Sequence, residues 1–294
     1  MKTKIFLIKA FLLLITSNTI AQHSGNNVYG QNNSIEKKQT IDKLYLTDST
    51  FIIEANVLAN VIADSYVITF GVSEESATVK DCNEKIEKRI QNFVSELNKQ
   101  GYSENDIYID MTTQNKIFDY KTTGNIAEQY LKGFEIKKNV IIKLKNIKEL
   151  DKLLILASNY QIYDLVKVDY VVTDIAKVYN QLFQSATEII NQKKAMYISI
   201  TNAKLSSTSQ IYGEQFYSYY PNQLYKSYTA YESSDVYNNY GNYTKKDLRK
   251  STTFYYDKIN YSSFDKVINP SITEPAVEFV LTLQIKYQNE KSKK

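Results

Sequence analysis

The chain has 294 residues, 36 Lys+Arg against 32 Asp+Glu, a single cysteine and a single histidine. Residues 1–21 hold three lysines and no acid, so the remainder carries 33 basic against 32 acidic residues, a net of +1. That balance, with only Lys291, Lys293 and Lys294 clustered at the end, excludes a nucleic-acid partner.

The N-terminus reads as an export signal. Lys2, Lys4 and Lys9 form a basic start, Ala10 to Ile15 is apolar, and Thr19-Ile20-Ala21 offers a small-x-small exit before Gln22. The competing reading is an uncleaved anchor. Lys9 cuts the apolar run well short of the roughly 20 residues that cross a bilayer, and no later stretch reaches that length, so no transmembrane span is expected in the mature chain. Residues 22–43 are polar and read as a flexible leader, residues 44–288 as the folded domain, and 289–294 as a basic tail. Export places the protein in the periplasm or cell envelope. Cys82 has no disulfide partner there.

Catalytic chemistry is poorly provided for. His23 lies in the leader, away from a scaffold that could orient it, which excludes Ser-His-Asp and Cys-His mechanisms and zinc bound by His and Cys. Gly71, Gly101, Gly124, Gly133, Gly213 and Gly241 are widely spaced, so neither a dinucleotide fingerprint nor a P-loop is present. The expectation is no cofactor, no metal and no catalytic residue. A paired-carboxylate hydrolase remains as an alternative, with no spacing that marks a pair.

In chain order, Phe51 to Leu58 is β-rich, and Tyr66, Ile68, Phe70 and Val72 alternate as on a half-buried strand. Cys82, Ile86, Ile90, Phe93, Val94 and Leu97 take helical spacing, and Gly101 ends that helix. Cys82 on this stripe reads as a small core residue, with a redox-active thiol as the alternative. Strands are expected over Asp106 to Phe118 and Tyr130 to Lys145, with Asp119 to Gln129 as their loop. Ile147 to Asn159 is helical, Ile162 to Thr173 alternates, and Ala176 to Asn202 is a second long helix. A strand begins near Lys204, and Val277 to Tyr287 is the last. The order β-β-α-β-β-α-β-α-β predicts an α+β fold, an antiparallel or mixed sheet with helices on one face.

Residues 209–262 hold 13 of the 26 tyrosines and read as a Tyr-rich extended hairpin before the last strand. Tyrosine offers a flat apolar ring with a polar tip, which suits recognition of glycans or proteins; packing on the sheet is the competing reading. Tyr217, Tyr219, Tyr220, Tyr225, Tyr228 and Tyr231 are the candidate binding surface.

Four stretches carry a family resemblance: Ala59 to Tyr66, a small-residue turn and Asp before a strand; the 77–99 helix with Gly101 and Asp106-Ile107; Gly133 to Val140, a G-aromatic-x-x-x-N-x-hydrophobic strand; and the 176–202 helix with Ala186 and Ala195. In this order they resemble the SIMPL domain family, the YggE-like bacterial envelope proteins. The long Tyr-rich stretch, and Gln181, Gln184 and Gln192 in the second helix, depart from it. The resemblance implies an exported, non-enzymatic α+β protein that self-associates as an oligomer and is linked to envelope and oxidative stress. It supplies no catalytic residue. Asp64 and Asn139 fall on motif positions and read as a turn cap and a strand hydrogen bond.

Overall fold

The computed structural model describes residues 50–202, 204–229 and 252–289. The proposed signal, the leader and Tyr231 lie outside them. The fold is α+β, built on two four-stranded sheets rather than one.

The first sheet contains β1 (Thr50–Val61), β6 (Leu205–Tyr219), β9 (Lys266–Ile268) and β10 (Val277–Asn289), in the order β6-β10-β1-β9. Only the three-residue β9 runs parallel to its neighbour. Phe51, Ile53, Ala55, Val57 and Ala59 alternate onto one face and are buried with Val277, Phe279, Leu281 and Leu283. A long helix, Ile175–Thr201, covers that face with Val178, Leu182, Ala186 and Ile190. Asp174 caps its start by accepting from the Lys177 amide at 2.9 Å.

The second sheet contains β2 (Ser65–Ser76), β3 (Ile107–Thr123), β4 (Ile126–Leu144) and β5 (Asp164–Val171), in the order β3-β4-β2-β5 and wholly antiparallel. Its helices are α1 (Val79–Lys99) and α2 (Leu150–Asn159). The stripe Cys82, Ile86, Ile90, Phe93 and Leu97 is fully buried against Ile68, Phe70, Ile136, Val140 and Ile142. Burying each large apolar side chain contributes about 1.5–3 kcal/mol. The Cys82 thiol donates to the Glu74 carbonyl at 3.0 Å, and burial pushes its pKa up, which fits a core residue rather than a reactive thiolate. Gly101 ends α1 at φ +95°: its amide reaches the Asn98 carbonyl at 3.1 Å and the Tyr102 amide reaches Leu97 at 3.1 Å.

Two expectations change. Residues 119–129 form no loop: the β3–β4 ladder continues to Thr123↔Ile126, closed by a two-residue turn with Gly124 at φ +60°. The polar, exposed side chains there disguise a strand that has no core to face. The Tyr-rich stretch is also not a single hairpin. Residues 209–219 belong to β6 and pair with β10. A one-turn helix, Pro221–Leu224, follows, and then a ribbon of β7 (Tyr225–Thr229) and β8 (Thr252–Tyr256). Asn289, placed with the tail, is still paired to Leu205.

The two sheets meet where β1 leads into β2. Asp64 Oδ2 accepts from the Thr173 amide and hydroxyl, both at 2.7 Å, and the Asp64 amide donates to Val171 at 2.8 Å. The Thr173 amide and hydroxyl hold the Asp64 carboxyl below its ordinary range. Gly133 performs another junction: a Cβ there would lie 2.5 Å from the Ser76 carbonyl oxygen, where β2 turns into α1. Gly133→Ala is therefore expected to cost roughly 1–3 kcal/mol. Urea unfolding at neutral pH checks it; an unchanged midpoint would contradict the close approach.

Candidate functional site

The strongest polar constellation lies on the face of the first sheet opposite the long helix. Glu278 on β10 stands directly across from Asn60 on β1 and Tyr219 on β6. Neither Glu278 nor Asn60 has any exposed surface, in a face that also buries Leu58 and Val280. The chain from Tyr256 to Asn269 supplies their partners.

Tyr256, at the end of β8, has its hydroxyl 3.2 Å from Glu278 Oε1 and 3.0 Å from the Ala276 carbonyl oxygen. The Ile259 amide donates to Glu278 Oε2 at 3.3 Å. Tyr261 exchanges hydrogen bonds with Asn60: the amide nitrogen donates to the phenol at 3.0 Å, and the phenol reaches Oδ1 at 3.2 Å. Asn60 Nδ2 also donates to the Asn269 carbonyl at 3.2 Å, and Asn269 Nδ2 returns a bond to the Asn60 carbonyl at 3.2 Å. Tyr261 is set by a turn that Asn260 caps through the Ser262 amide at 2.9 Å.

Burial pushes the Glu278 carboxyl up; the Ile259 amide and Tyr256 hydroxyl pull it back only in part. The neutral acid can also satisfy these contacts. Ionised Glu278 competes with Ala276 for the one Tyr256 proton. Protonated Glu278 can donate to the phenol, which then serves Ala276. Both Tyr256 and Tyr217 are raised by burial, Tyr217 to about 12.

The predicted tyrosines divide. Tyr217 and Tyr219 stack edge to face, with centroids 5.5 Å apart, on the Glu278 side of β6. Tyr225 packs on Tyr256 at 5.8 Å. Tyr220 instead packs with the core beneath the long helix. Tyr228 lies in β7, and Tyr231 is outside the described residues. Tyr217, Tyr219, Tyr220 and Tyr225 are all only partly exposed. Glu278, Asn60, Tyr256 and Tyr261 carry the constellation, and the sequence reading did not single them out. The available signal was an acid at the second position of an otherwise apolar strand, VEFVLTL.

An open depression of about 250 Å³ lies between Gly71, Ser73, Arg89, Gln161, Tyr163 and Asp164. It falls below the usual size of a ligand site. Arg89 there already donates to the Ser73 carbonyl at 2.9 Å, Glu74 at 2.7 Å and the Gln161 carbonyl at 2.6 Å, and so ties α1 to β2 and to the turn after α2. Among the described residues no group of three or more His, Cys, Asp or Glu could hold a metal ion, and no helix is long and apolar enough to cross a membrane.

Comparison with protein families matches residues 53–254 to the SIMPL model, described as a protein of unknown function (DUF541). The chain belongs to the SIMPL family. The match takes in both sheets up to β8 and stops short of β10, the strand that carries Glu278. No curated protein matches the chain.

Glu278 yields a pH prediction with a definite sign. Its folded-state pKa is raised, so its contribution to stability is full below the unfolded carboxyl value and is lost as pH rises through the folded one. Glu278→Gln keeps the shape: Oε1 accepts from Ile259 and Nε2 donates to Tyr256. The variant should gain stability over wild type as pH rises from the acid range to neutrality, read by urea midpoints at a series of pH values. Parallel curves would contradict a raised Glu278 pKa.

Proposed function

We propose that this SIMPL protein is an exported, non-enzymatic protein that assembles with copies of itself as a scaffold or stress-protection element of the cell envelope. The observation that carries this reading is the shape of β3 and β4. They run on past their sheet as a ribbon exposed on both faces, with Phe118, Tyr120, Ile126, Tyr130 and Leu131 each 47–65% exposed. A two-stranded hairpin alone in water is marginally stable, and exposed large apolar groups on it serve contact.

The buried constellation supports a role without turnover. Glu278 has the raised pKa of a general acid, yet both its oxygens are engaged by the chain and none of its surface meets solvent. A carboxylate hydrolase needs an acid that touches its substrate. The tyrosines around Glu278 act here as a strap over the sheet. A glycan- or protein-binding role is favoured by one feature of that strap: Phe254 and Tyr255 on β8 remain 39% and 47% exposed. Tyr255→Ala should then weaken retention on envelope polysaccharide without changing the melting temperature; equal retention removes that reading.

Two measurements check the main proposal. Protein recovered from the envelope should begin at Gln22 by N-terminal sequencing, and an intact Met1 would contradict export. Light scattering on residues 22–294 should give a mass that is a multiple of the protomer. A monomer throughout a concentration series would overturn the scaffold reading.

A further inference from the structure

The strap over the outer face of the first sheet is held differently along its length. Its far end is pinned. The Asp265 amide donates to the Asn56 carbonyl at 2.9 Å, and its carboxylate accepts from the Asn56 amide at 2.8 Å and meets Lys193 of the long helix at 2.5 Å. Lys266 to Ile268 then pair with β1 as β9. The near end is pinned as well: the Asp257 amide donates to the Leu224 carbonyl at 3.0 Å, and its carboxylate pairs with Lys226 on β7. Between these ends, residues 258–264 belong to no strand.

This middle part touches the sheet through Tyr261 on Asn60 and through the Ile259 amide, beside Tyr256, on Glu278. Under the strap lie Leu58 and its cross-strand neighbour Val280, both without exposed surface to speak of, at 0% and 1%. The Asn60 contact is neutral on both sides. The Glu278 contact is not. A carboxylate has about four lone-pair sites. The strap offers it one amide at 3.3 Å and one phenol that also serves the Ala276 carbonyl.

The charges around Glu278 do not make up the difference. Lys258 attracts it, but its ammonium is bonded to the Ile272 carbonyl. Asp257 repels it. Tyr261 from the turn and Tyr219 from β6 complete the ionisable groups that face it. Among the described residues no Lys or Arg forms an ion pair with Glu278.

We propose that Glu278 is the release of a latch: when it gives up its proton to water, residues 258–264 lift from the sheet, hinged at Asp257 and Asp265, and uncover Leu58 and Val280 while both cores stay folded. A buried charge with two shared or long hydrogen bonds is costly, and lifting the strap hydrates it. With Glu278 neutral that cost is absent, and the apolar contact with Leu58 and Val280 keeps the latch shut. Burial raises the carboxyl in the closed form, so closure is complete below the ordinary carboxyl range and weakens as pH rises through the closed-state value. The latch does not depend on the self-association proposed above, and either can fail alone.

Hydrogen exchange of the mature chain tests it, read from about pH 5 upwards and corrected for the intrinsic base catalysis of exchange. Protection of the amides in 258–264 should fall by up to about tenfold per pH unit, the limit for one linked proton, while β1 and β10 keep theirs. Glu278→Gln should hold the strap's protection level across the same range. Tyr256→Phe supplies a second arm should that variant not fold: it removes one donor and leaves the acid, so protection should be lower at every pH with the slope kept. Strap protection that is constant with pH in wild type, or that falls equally in Glu278→Gln, would overturn the latch. So would strap and β1 losing protection together, which is global unfolding, or Tyr256→Phe protecting the strap as wild type does.

Discussion

Asp64 holds the point where the chain leaves one sheet and enters the other. Only three residues, Ile62 to Asp64, join β1 to β2, yet the two strands take different partners. The Asp64 carboxylate fixes Thr173, and its amide fixes Val171, at the end of β5. This ties the exit of the second sheet to the entrance of the helix that covers the first. Tyr170, beside this junction, packs against both cores, its ring 5.3 Å from that of Tyr66. Without a disulfide, that short link and its three hydrogen bonds set how the halves can stand.

From that junction the outer features follow. The first sheet has both faces covered: the long helix on one, the Tyr-rich strap on the other. The strap can lie there only by satisfying Asn60 and Glu278, and it does so with Tyr256, Tyr261 and the Ile259 amide. A buried, hydrogen-bonded network of this kind specifies one placement of the strap, because a half-satisfied one costs more than an apolar surface. Among the described residues the helices of the second sheet cover one face of it. The β3–β4 ribbon runs beyond that sheet with large apolar side chains exposed.

Much of the local structure was legible in the sequence. The 3.6-residue stripe from Cys82 to Leu97 and the cap at Gly101 appear as read, and Asp64 is a turn residue with backbone partners. The division into two sheets was not legible, because β1 finds β10 more than 200 residues away and periodicity carries no information about partners. The ribbon leaves no strand signal in the sequence, because residues 119–129 face solvent on both sides and show no two-residue apolar alternation. Glu278 was hidden for the opposite reason: an acid on the second face of a strand is ordinarily a solvated group, and only the strap makes it buried.

The proposed self-association puts the exposed β3–β4 ribbon of the second sheet in contact with another copy. Hydrogen exchange of the backbone amides in residues 117–133, followed as protein concentration is raised, tests it most directly. The account predicts that protection there grows with concentration while the amides of β1 and β10 stay as they were. Exchange in 117–133 that is fast and identical at every concentration would contradict it.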